Sequence, residues 1–321
     1  MKVDIRETIC LNEILKEVRT VAITGHVRPD GDCIGACLGL WNYLSDHHPE
    51  IVSEVFLEPI PERFLFLKGA DLIRTQPSGK PFDLVFCLDC GTKRRLGQNA
   101  VLLEHAGRTV CIDHHIRQDS FCDLTYVEED ASSASELICL LLGTEGLSLE
   151  ASEALYMGIA HDTGVFAYSC TSSRTMRVAG ELMDRGIPYS EIIAKTFYEK
   201  NYYQKQILGK ALLESFLMCG GKVICSVIHK KDMKFFGLTA ADLDGIVTEL
   251  RDTSGVEVAI FLTETGNMRY KASLRSSGDV DVNQVCTCFG GGGHVKAAGC
   301  EMNGSWHDAV NNLTQRISLQ L

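Results

Sequence analysis

Short apolar runs alternate with helical patterns in the first half of the chain. Residues 20–24, 51–57, 82–88 and 108–112 are apolar and β-rich, and they predict four buried strands. Apolar positions between residues 33 and 46 have helical spacing, so the first strand and this helix form a βα unit. Strands that alternate with helices favour a parallel sheet, in which ligand sites form beyond the carboxyl ends of the strands.

Helical periodicity continues towards the middle of the chain. The helical segments are 137–142, 150–159, 173–185, 190–199 and a long connecting stretch over about 201–218. The run Ser133-Ala134-Ser135-Glu136 matches a capping box ahead of the first of these helices. Capping is its ordinary role, but a helix N-terminus that faces a site could also hold a phosphate oxygen.

The pattern changes after Gly220-Gly221, which marks a domain boundary near residue 220. Strand patterns then occur at 222–229, 256–262 and 268–274, and helical patterns at about 240–252 and 282–289. We therefore predict an α/β fold with three parts: a parallel-sheet domain over residues 1–195, a linker helix over 196–219, and a smaller α/β domain with a mixed sheet over 220–321.

The charge balance argues against a duplex-binding protein. The 321 residues include 31 Lys and Arg against 42 Asp and Glu, and no basic block is dense enough to follow duplex phosphates. A short phosphorylated ligand held by a few local cations and two metal ions remains compatible with a net charge of −11. No apolar run approaches the roughly 20 residues of a membrane span, and the start of the chain is unlike a signal peptide. We expect a cytoplasmic protein with no membrane partner.

Fourteen cysteines without an export signal indicate reduced thiols. Cys87 and Cys90 have the spacing of half a zinc site, but the pair Cys286 and Cys288 lacks the spacing of a second half. Cys87 also lies inside an apolar, strand-like run. We therefore expect no zinc site here, and the interest of this segment lies in Asp89.

Acidic residues and histidines follow the apolar segments in four places. These clusters are His26 with Asp30 and Asp32, then Asp89, then Asp113-His114-His115, and finally Asp162. Taken singly, an Asp-Gly turn, a structural histidine or a helix cap would explain most of them. Together, carboxylates and imidazoles at one edge of a sheet predict a divalent-metal site, and hence a metal-dependent hydrolase.

Two of these clusters have a specific physical reason to lie beside a cation. Asp89 ends a strand so apolar that an uncompensated carboxylate there would be costly, and a cation beside it relieves that cost. Asp30 and Asp32 flank one glycine on a turn, where alternate residues can face two different metal ions.

The second half of the chain offers groups that suit an anion. Four glycines, 290–293, precede His294, so backbone N–H groups and an imidazole donor come together there, although a flexible linker is the alternative. Arg275 ends a predicted strand, where it could bind a phosphate through two parallel hydrogen bonds.

In order along the chain, these motifs resemble those of the DHH phosphoesterase family, in the branch with a DHH-associated C-terminal domain. The segments that carry the resemblance are the His26–Asp32 motif, Asp113-His114-His115 and Gly291-Gly292-Gly293-His294, and the match spans roughly residues 20 to 300. Within this family the likeness is to nanoRNases and pAp phosphatases, where pAp is 3′-phosphoadenosine 5′-phosphate. The parts predicted above would then be a catalytic DHH domain, a linker and a substrate-binding domain.

The resemblance implies a role for each motif residue. It implies one manganese ion at His26, Asp30 and Asp89, and a second at Asp32, Asp89, His114 and Asp162, with Asp89 shared. It places His115, Arg275, His294 and the glycines Gly291, Gly292 and Gly293 against substrate phosphate. It gives Asp113 and Arg95 supporting roles.

These roles imply two-metal hydrolysis of short single-stranded RNA or DNA, or of pAp, to mononucleotides. Mn²⁺ suits oxygen and imidazole ligands, with Mg²⁺ or Co²⁺ as substitutes. Asp89 would be essential to catalysis, and His115 would either protonate the leaving oxygen or bind phosphate.

Three alternatives remain open at this point: an inorganic pyrophosphatase, an exonuclease acting on single strands or linear dinucleotides, and a non-enzymatic nucleotide-binding module. The sequence does not rank short RNA, short DNA and pAp as substrates, and it leaves open whether the chain forms a homodimer.

Overall fold

The computed structural model describes residues 5–77, 79–115 and 120–321. It consists of two compact units, Met1–Glu199 and Lys200–Leu321. The finer division into a domain ending at residue 195 and a linker over 196–219 stays a prediction.

The first unit contains a five-stranded sheet and seven α-helices in its described residues. The strands are β1 (Thr20–Thr24), β2 (Val52–Phe56), β3 (Phe82–Leu88), β4 (Ala106–Asp113) and β5 (Leu124–Val127). The helices are α1 (Ile5–Thr8), α2 (Leu11–Ile14), α3 (Gly31–His47), α4 (Ala134–Leu142), α5 (Leu149–Asp162), α6 (Ser173–Asp184) and α7 (Tyr189–Ile193). Short 3₁₀ segments lie at Glu62–Phe64, Ala70–Leu72 and Thr144–Gly146, and a π-helix covers Ala194–Tyr198. The stretch Lys93–His105 is also 3₁₀-helical but is interrupted at Gly97.

The first sheet is parallel throughout, in the order β2-β1-β3-β4-β5. The predicted α/β fold with a parallel sheet is confirmed. All four predicted strands are present, and β5 is an additional edge strand whose pattern is too short and too exposed to predict. The strand order reverses between β1 and β3, and this is the point of a doubly wound sheet where ligands bind.

Both faces of the sheet are covered, which explains why its strands read as continuous apolar runs. In β3, Leu84 and Phe86 face the large core that includes α3 and α5, whereas Val85 and Cys87 face a smaller cluster on the other side. This alternation follows from the two-residue period of a strand.

Glycines on α3 allow α5 to approach it closely. A Cβ at Gly35 would lie 2.5 Å from the Ala154 carbonyl oxygen, and a Cβ at Gly39 would lie 2.4 Å from Cγ of Leu155. A Cβ at Gly31, at the start of α3, would lie 2.3 Å from Cγ of His161, near the end of α5, so the two helices are antiparallel. The last residue of α5, Asp162, therefore lies beside the first turn of α3.

The second unit contains a six-stranded sheet. Its strands are β6 (Phe216–Met218), β7 (Val223–Ile228), β8 (Val258–Gly266), β9 (Arg269–Ser276), β10 (Gly292–His294) and β11 (Ala297–Asn303). Its helices are α8 (Tyr202–Leu213), α9 (Lys230–Phe236), α10 (Ile246–Arg251), α11 (Val282–Thr287) and α12 (Trp306–Ile317), with 3₁₀ turns at Cys219–Gly221 and Ala240–Leu243. The order is β10-β11-β9-β8-β7-β6, with β7 and β8 parallel and the other pairs antiparallel, which confirms the predicted mixed sheet.

Two predicted helices differ from the structure. The helix expected over 201–218 ends at Leu213, and residues 216–218 instead pair with β7 as an edge strand. Ile207 and Ala211 of α8 pack in the core of the second unit. The helix expected over 240–252 is interrupted at Gly245, whose φ of 87° is left-handed.

Among the described residues, no helix is both long and apolar enough to span a membrane.

Substitution of Gly35 tests the close packing of α3 and α5. Gly35→Ala should lower the free energy of unfolding by about 2 kcal/mol relative to Gly180→Ala, because its methyl group meets the fixed backbone of α5. Gly180 lies within α6, and a methyl group added there would have nothing within 4 Å, so it controls for helix propensity. Urea unfolding of both variants measures the difference, and equal stabilities would contradict the packing argument.

Candidate metal centre

Histidine and aspartate residues follow β1 and β3, which are neighbouring strands of the first sheet. His26 lies two residues beyond β1, and its Nδ1 lies 2.9 Å from the Val27 carbonyl oxygen. Asp30 is the N-cap of α3, where its carboxylate accepts the Cys33 N–H at 3.2 Å. Because Nδ1 of His26 already has a partner, Nε2 is the ring nitrogen that faces the carboxylates, 3.6 Å from Asp30 and 3.2 Å from Asp89.

Asp89 follows β3 and is the residue on which the histidines converge. Its φ of 54° is left-handed, which is uncommon outside glycine, and its side chain is only 2% exposed. One oxygen lies 3.2 Å from His26, and the other lies 3.5 Å from His114 Nε2 and 3.4 Å from His115 Nδ1. The backbone thus turns sharply at the strand end and aims one buried carboxylate at three imidazoles.

Asp32 is held by the N-terminus of α4. Its two oxygens accept the N–H groups of Ala134 at 2.6 Å and Ser135 at 2.9 Å. These donors are therefore engaged with an aspartate of the chain, rather than left for the phosphate oxygen considered above. Half of the predicted capping box is present: Ser133 accepts the Glu136 N–H, but Glu136 bonds to Ser132 instead of returning to Ser133.

Asp162 ends α5 and enters a left-handed turn. Gly164, Val165 and Phe166 all have φ between 55° and 64°, and the Val165 N–H donates to the Ala160 carbonyl at 2.7 Å. Such a conformation is unfavourable for valine, so surrounding contacts must impose it. The turn leaves the Asp162 carboxylate 3.3 Å from His114 Nε2, which is also 3.8 Å from Asp32.

His115 is held on both ring nitrogens. Its Nδ1 lies 2.9 Å from a carboxylate oxygen of Asp113, and its Nε2 lies 3.2 Å from the Arg95 guanidinium. Because a carboxylate accepts and a guanidinium donates, these partners match a ring that donates from Nδ1 to Asp113 and accepts at Nε2 from Arg95.

Electrostatics in the cluster follow from burial and from opposed charges. Burial lowers the pKa of His26, but contacts with Asp30 and Asp89 outweigh it and raise that pKa to about 12. Burial also lowers the pKa of His114, but contact with Asp89 outweighs burial and raises that pKa to about 10. Burial raises the pKa of Asp89, but His114 and His26 outweigh it and hold the pKa far below its usual range.

The other two carboxyl groups repel one another. Burial and then the charge of Asp89 raise the pKa of Asp32 to about 7. Burial and the charge of Asp32 raise the pKa of Asp162 well above its usual range. Added positive charge at this place would therefore favour the ionised form of both groups.

The residues present fit divalent cations. His26 Nε2 and Asp89 Oδ1 are buried atoms that make no hydrogen bond within the described structure. Possible ligand atoms lie within 4.8 Å of one another in three groups: His26 with Cys33 and Asp89, Asp89 with His114 and His115, and Asp32 with His114 and Asp162. Asp89 and His114 each occur in two groups, as expected for neighbouring cations that share ligands.

The structure thus brings all six predicted metal ligands together within the first unit, although their role as ligands stays a prediction. The sequence interpretation did not include Cys33, whose thiol belongs to the group around His26. Its position three residues after Asp30, in the first turn of α3, is the signal that could have found it.

The phosphate-binding residues predicted for the second unit lie at one end of its sheet. Arg275 of β9 and His294 of β10 both pair with Ala297 of β11, so their side chains lie at the same register on the same face. Arg275 donates to the Leu274 carbonyl at 3.0 Å.

The predicted glycine loop is more ordered than a flexible linker. However, its backbone N–H groups largely donate hydrogen bonds within the chain. The N–H groups of Gly291 and Gly293 donate to the Cys286 carbonyl and to Asn283 Oδ1. A Cβ at Gly291 would lie 2.2 Å from the Gly299 carbonyl oxygen, so close packing in the hairpin accounts for this glycine. The role of Gly291, Gly292 and Gly293 in substrate binding stays a prediction.

Family comparison agrees with this arrangement. The N-terminal domain of the DHH family matches residues 20–159, and the DHHA1 domain matches residues 220–321. The protein named bifunctional oligoribonuclease and PAP phosphatase NrnA of Bacillus subtilis is 30% identical over 316 residues, which cover 96% of this chain and 95% of that protein. The chain belongs to the DHH family.

Further relatives extend along most of this DHH chain. The Thermus thermophilus protein of the same name is 28% identical over 297 residues, covering 91% of this chain and 87% of that protein. The crystal structure of an exopolyphosphatase-related protein from Bacteroides fragilis superposes with a TM-score of 0.89 at 26% identity, covering 96% of this chain and 94% of that one. The resemblance seen in the motifs is confirmed, and the DHH chain is a phosphoester hydrolase with a divalent-metal centre.

Cation binding to this DHH domain should release protons. Without cations, His26 and His114 are protonated at neutral pH because their pKa values are raised to about 12 and about 10, and a metal ion needs both nitrogens free. Apparent affinity should therefore rise with pH, on the order of tenfold per pH unit for each proton released. Calorimetric titration with Mn²⁺ in buffers of different ionisation heat measures the protons. A binding heat that is independent of the buffer would contradict the assigned protonation.

Proposed function

We propose that the chain is a two-metal phosphoesterase that hydrolyses short oligonucleotides and pAp to mononucleotides. The observation that carries the proposal is the convergence of His26, His114 and His115 on the buried Asp89 carboxylate, at the point where the strand order reverses. The names of the Bacillus subtilis and Thermus thermophilus relatives, which match most of this chain, support the choice of substrates.

We assign two Mn²⁺ ions to the centre, with Mg²⁺ or Co²⁺ as substitutes. One would be held by His26, Asp30 and Asp89, and the other by Asp32, Asp89, His114 and Asp162, since these side chains approach one another within 4 Å through a chain of contacts. When bound, the two cations neutralise charge that develops on the phosphoryl oxygens and make water a stronger nucleophile.

The chain's own residues orient this chemistry. Asp32, fixed by the α4 N-terminus, and Asp89, fixed by its left-handed backbone, hold their carboxylates in place before a substrate arrives. Preorganised charge of this kind avoids reorganisation during the reaction.

His115 faces the substrate with its Nε2 edge, because Asp113 holds Nδ1. In the proposal, Arg95 turns from this edge to the substrate phosphate, Nε2 takes up a proton from solvent, and the ring gives that proton to the leaving ribose oxygen. Asp113 stabilises the imidazolium that this role requires.

The second unit binds the substrate's phosphate. Arg275 supplies a planar guanidinium that can make two parallel hydrogen bonds, and His294 supplies an imidazole at the same register. Two cationic or donor side chains suit a ligand with few phosphates, which agrees with the chain's net charge of −11.

Asp89→Asn tests the proposed function. Asparagine keeps the size of the side chain and tolerates left-handed backbone, but it removes the shared negative charge, so turnover should fall at least about a thousandfold while the chain stays folded. The measurement is Mn²⁺-dependent hydrolysis of pAp and of di- to pentaribonucleotides. Asp83→Asn is the control, because Asp83 lies at the exposed start of the same strand, where its carboxylate accepts hydrogen bonds from the Arg19 and Thr20 N–H groups and the Thr20 hydroxyl.

Wild-type turnover by Asp89→Asn would overturn the two-metal scheme. Pyrophosphate is included in the same assay to test the main alternative, an inorganic pyrophosphatase. Faster release of phosphate from pyrophosphate than from pAp would favour that alternative.

Arg275→Ala tests the phosphate contact. Loss of a charge-assisted hydrogen-bonding pair should raise KM for pAp by about tenfold to a hundredfold with a smaller change in kcat. Arg269→Ala, at the exposed beginning of the same strand, is the matched control. An unchanged KM in Arg275→Ala would exclude this residue from substrate capture.

A further inference from the structure

A buried thiol lies against the proposed metal centre. One ligand atom each from His26, Cys33 and Asp89 lies within 4.8 Å of the other two, and all three residues are buried. By contrast, the group formed by Asp32, His114 and Asp162 contains only imidazole nitrogen and carboxylate oxygen. The two halves of the centre therefore offer different donor atoms.

The fold fixes the position of this thiol. Cys33 is in the first turn of α3, and its side chain is completely buried. Its Sγ occupies the space beside Gly25, where a Cβ would lie only 2.2 Å from the sulfur. Gly25 directly precedes His26, so a glycine at this position admits the sulfur beside the metal-binding histidine.

Core packing alone does not account for the polar atoms around Cys33. His26 Nε2 and Asp89 Oδ1 are buried and make no hydrogen bond within the described structure. Asp30, the carboxylate expected at this position, has a side chain that is 59% exposed, and it caps the Cys33 N–H. A cation bound by His26 and Asp89 would thus have a buried sulfur and an exposed carboxylate as further donors.

We propose that Cys33 is a ligand of the cation bound by His26 and Asp89, and that this half of the centre prefers zinc, cobalt or ferrous iron to manganese or magnesium. The inference rests on the metal centre of the proposed function. Thiolate is a soft ligand that favours such ions, whereas carboxylate and water suit magnesium and manganese. On binding, the thiol loses its proton to solvent and a sulfur–metal bond forms. Mn²⁺ can still occupy both halves, but a softer ion binds more tightly beside Cys33.

Cobalt titration tests the sulfur ligand directly, independently of activity. Thiolate bound to Co²⁺ gives an intense near-ultraviolet charge-transfer absorption, which oxygen and nitrogen ligands do not give. The metal-free chain, kept reduced, is titrated with Co²⁺, and bound metal is counted by elemental analysis. We expect the band in the wild type to saturate with the first bound Co²⁺, and Cys33→Ser to bind Co²⁺ without the band.

Cys37→Ser is the matched control. Cys37 lies one turn further along α3 and is equally buried, but it belongs to none of the ligand groups found in the described residues. It should therefore keep the band. Competition between Zn²⁺ and Mn²⁺ gives a second measure, in which Cys33→Ser should lower the preference for Zn²⁺ by about tenfold or more. Cys33→Ala repeats both tests with a side chain that introduces no hydroxyl into the core.

The outcomes separate this inference from the proposed function. Wild-type protein that binds Co²⁺ without the band, or Cys33→Ser and Cys33→Ala that both keep it, would overturn the role of Cys33 and leave the two-metal centre standing. Wild-type protein that binds neither Co²⁺ nor Mn²⁺ would overturn the centre itself.

Discussion

The Asp89 carboxylate is buried where His26, His114 and His115 meet, and the rest of the centre depends on the charge that it carries. Burial raises the pKa of Asp89, but His114 and His26 outweigh that effect, so the carboxylate stays ionised. The same charge raises the pKa of the buried Asp32. Positive charge added by a bound cation would favour the ionised form of both Asp32 and Asp162, whose pKa values are raised without it.

The fold concentrates these charges through three local devices. The parallel sheet places His26 and Asp89 at adjacent strand ends. The close, antiparallel packing of α3 and α5, which glycines permit, brings Asp162 beside the first turn of α3. The N-terminus of α4 then fixes Asp32 with two backbone N–H groups. Each device orders a carboxylate before any ligand binds, so little conformational entropy is left to lose on binding.

Sequence patterns predicted the first unit well because its signals are local. An apolar run followed by Asp89 or by Asp113-His114-His115 predicts a strand, and it also predicts the candidate site residues at the end of that strand. The edge strands have weaker sequence patterns. Only Tyr126 of the four residues of β5 is buried, and β10 consists of Gly292, Gly293 and His294, whose strand pairing depends on β11. A propensity argument does not find a glycine-rich strand, because glycine has no side chain to pack on a sheet.

Some roles within the centre could not be predicted because they arise from distant contacts. The α4 N-terminus was recognised as a helix start, but its partner Asp32 lies about a hundred residues away, so the bond between them requires the folded structure. The sequence alone does not show that the N–H groups of Gly291 and Gly293 donate to Cys286 and Asn283, because these hydrogen bonds form only in the folded chain. In the sequence pattern, Cys33 is an apolar position of α3. Only its proximity to His26 and Asp89 in the folded chain gives it a chemical role.

The most direct test of the account is a crystal structure of the protein with Mn²⁺, with anomalous scattering used to locate the metal. We expect two manganese peaks in the first unit, with Asp89 bound to both. A map with no peak at Asp89, or with manganese bound only elsewhere, would contradict it.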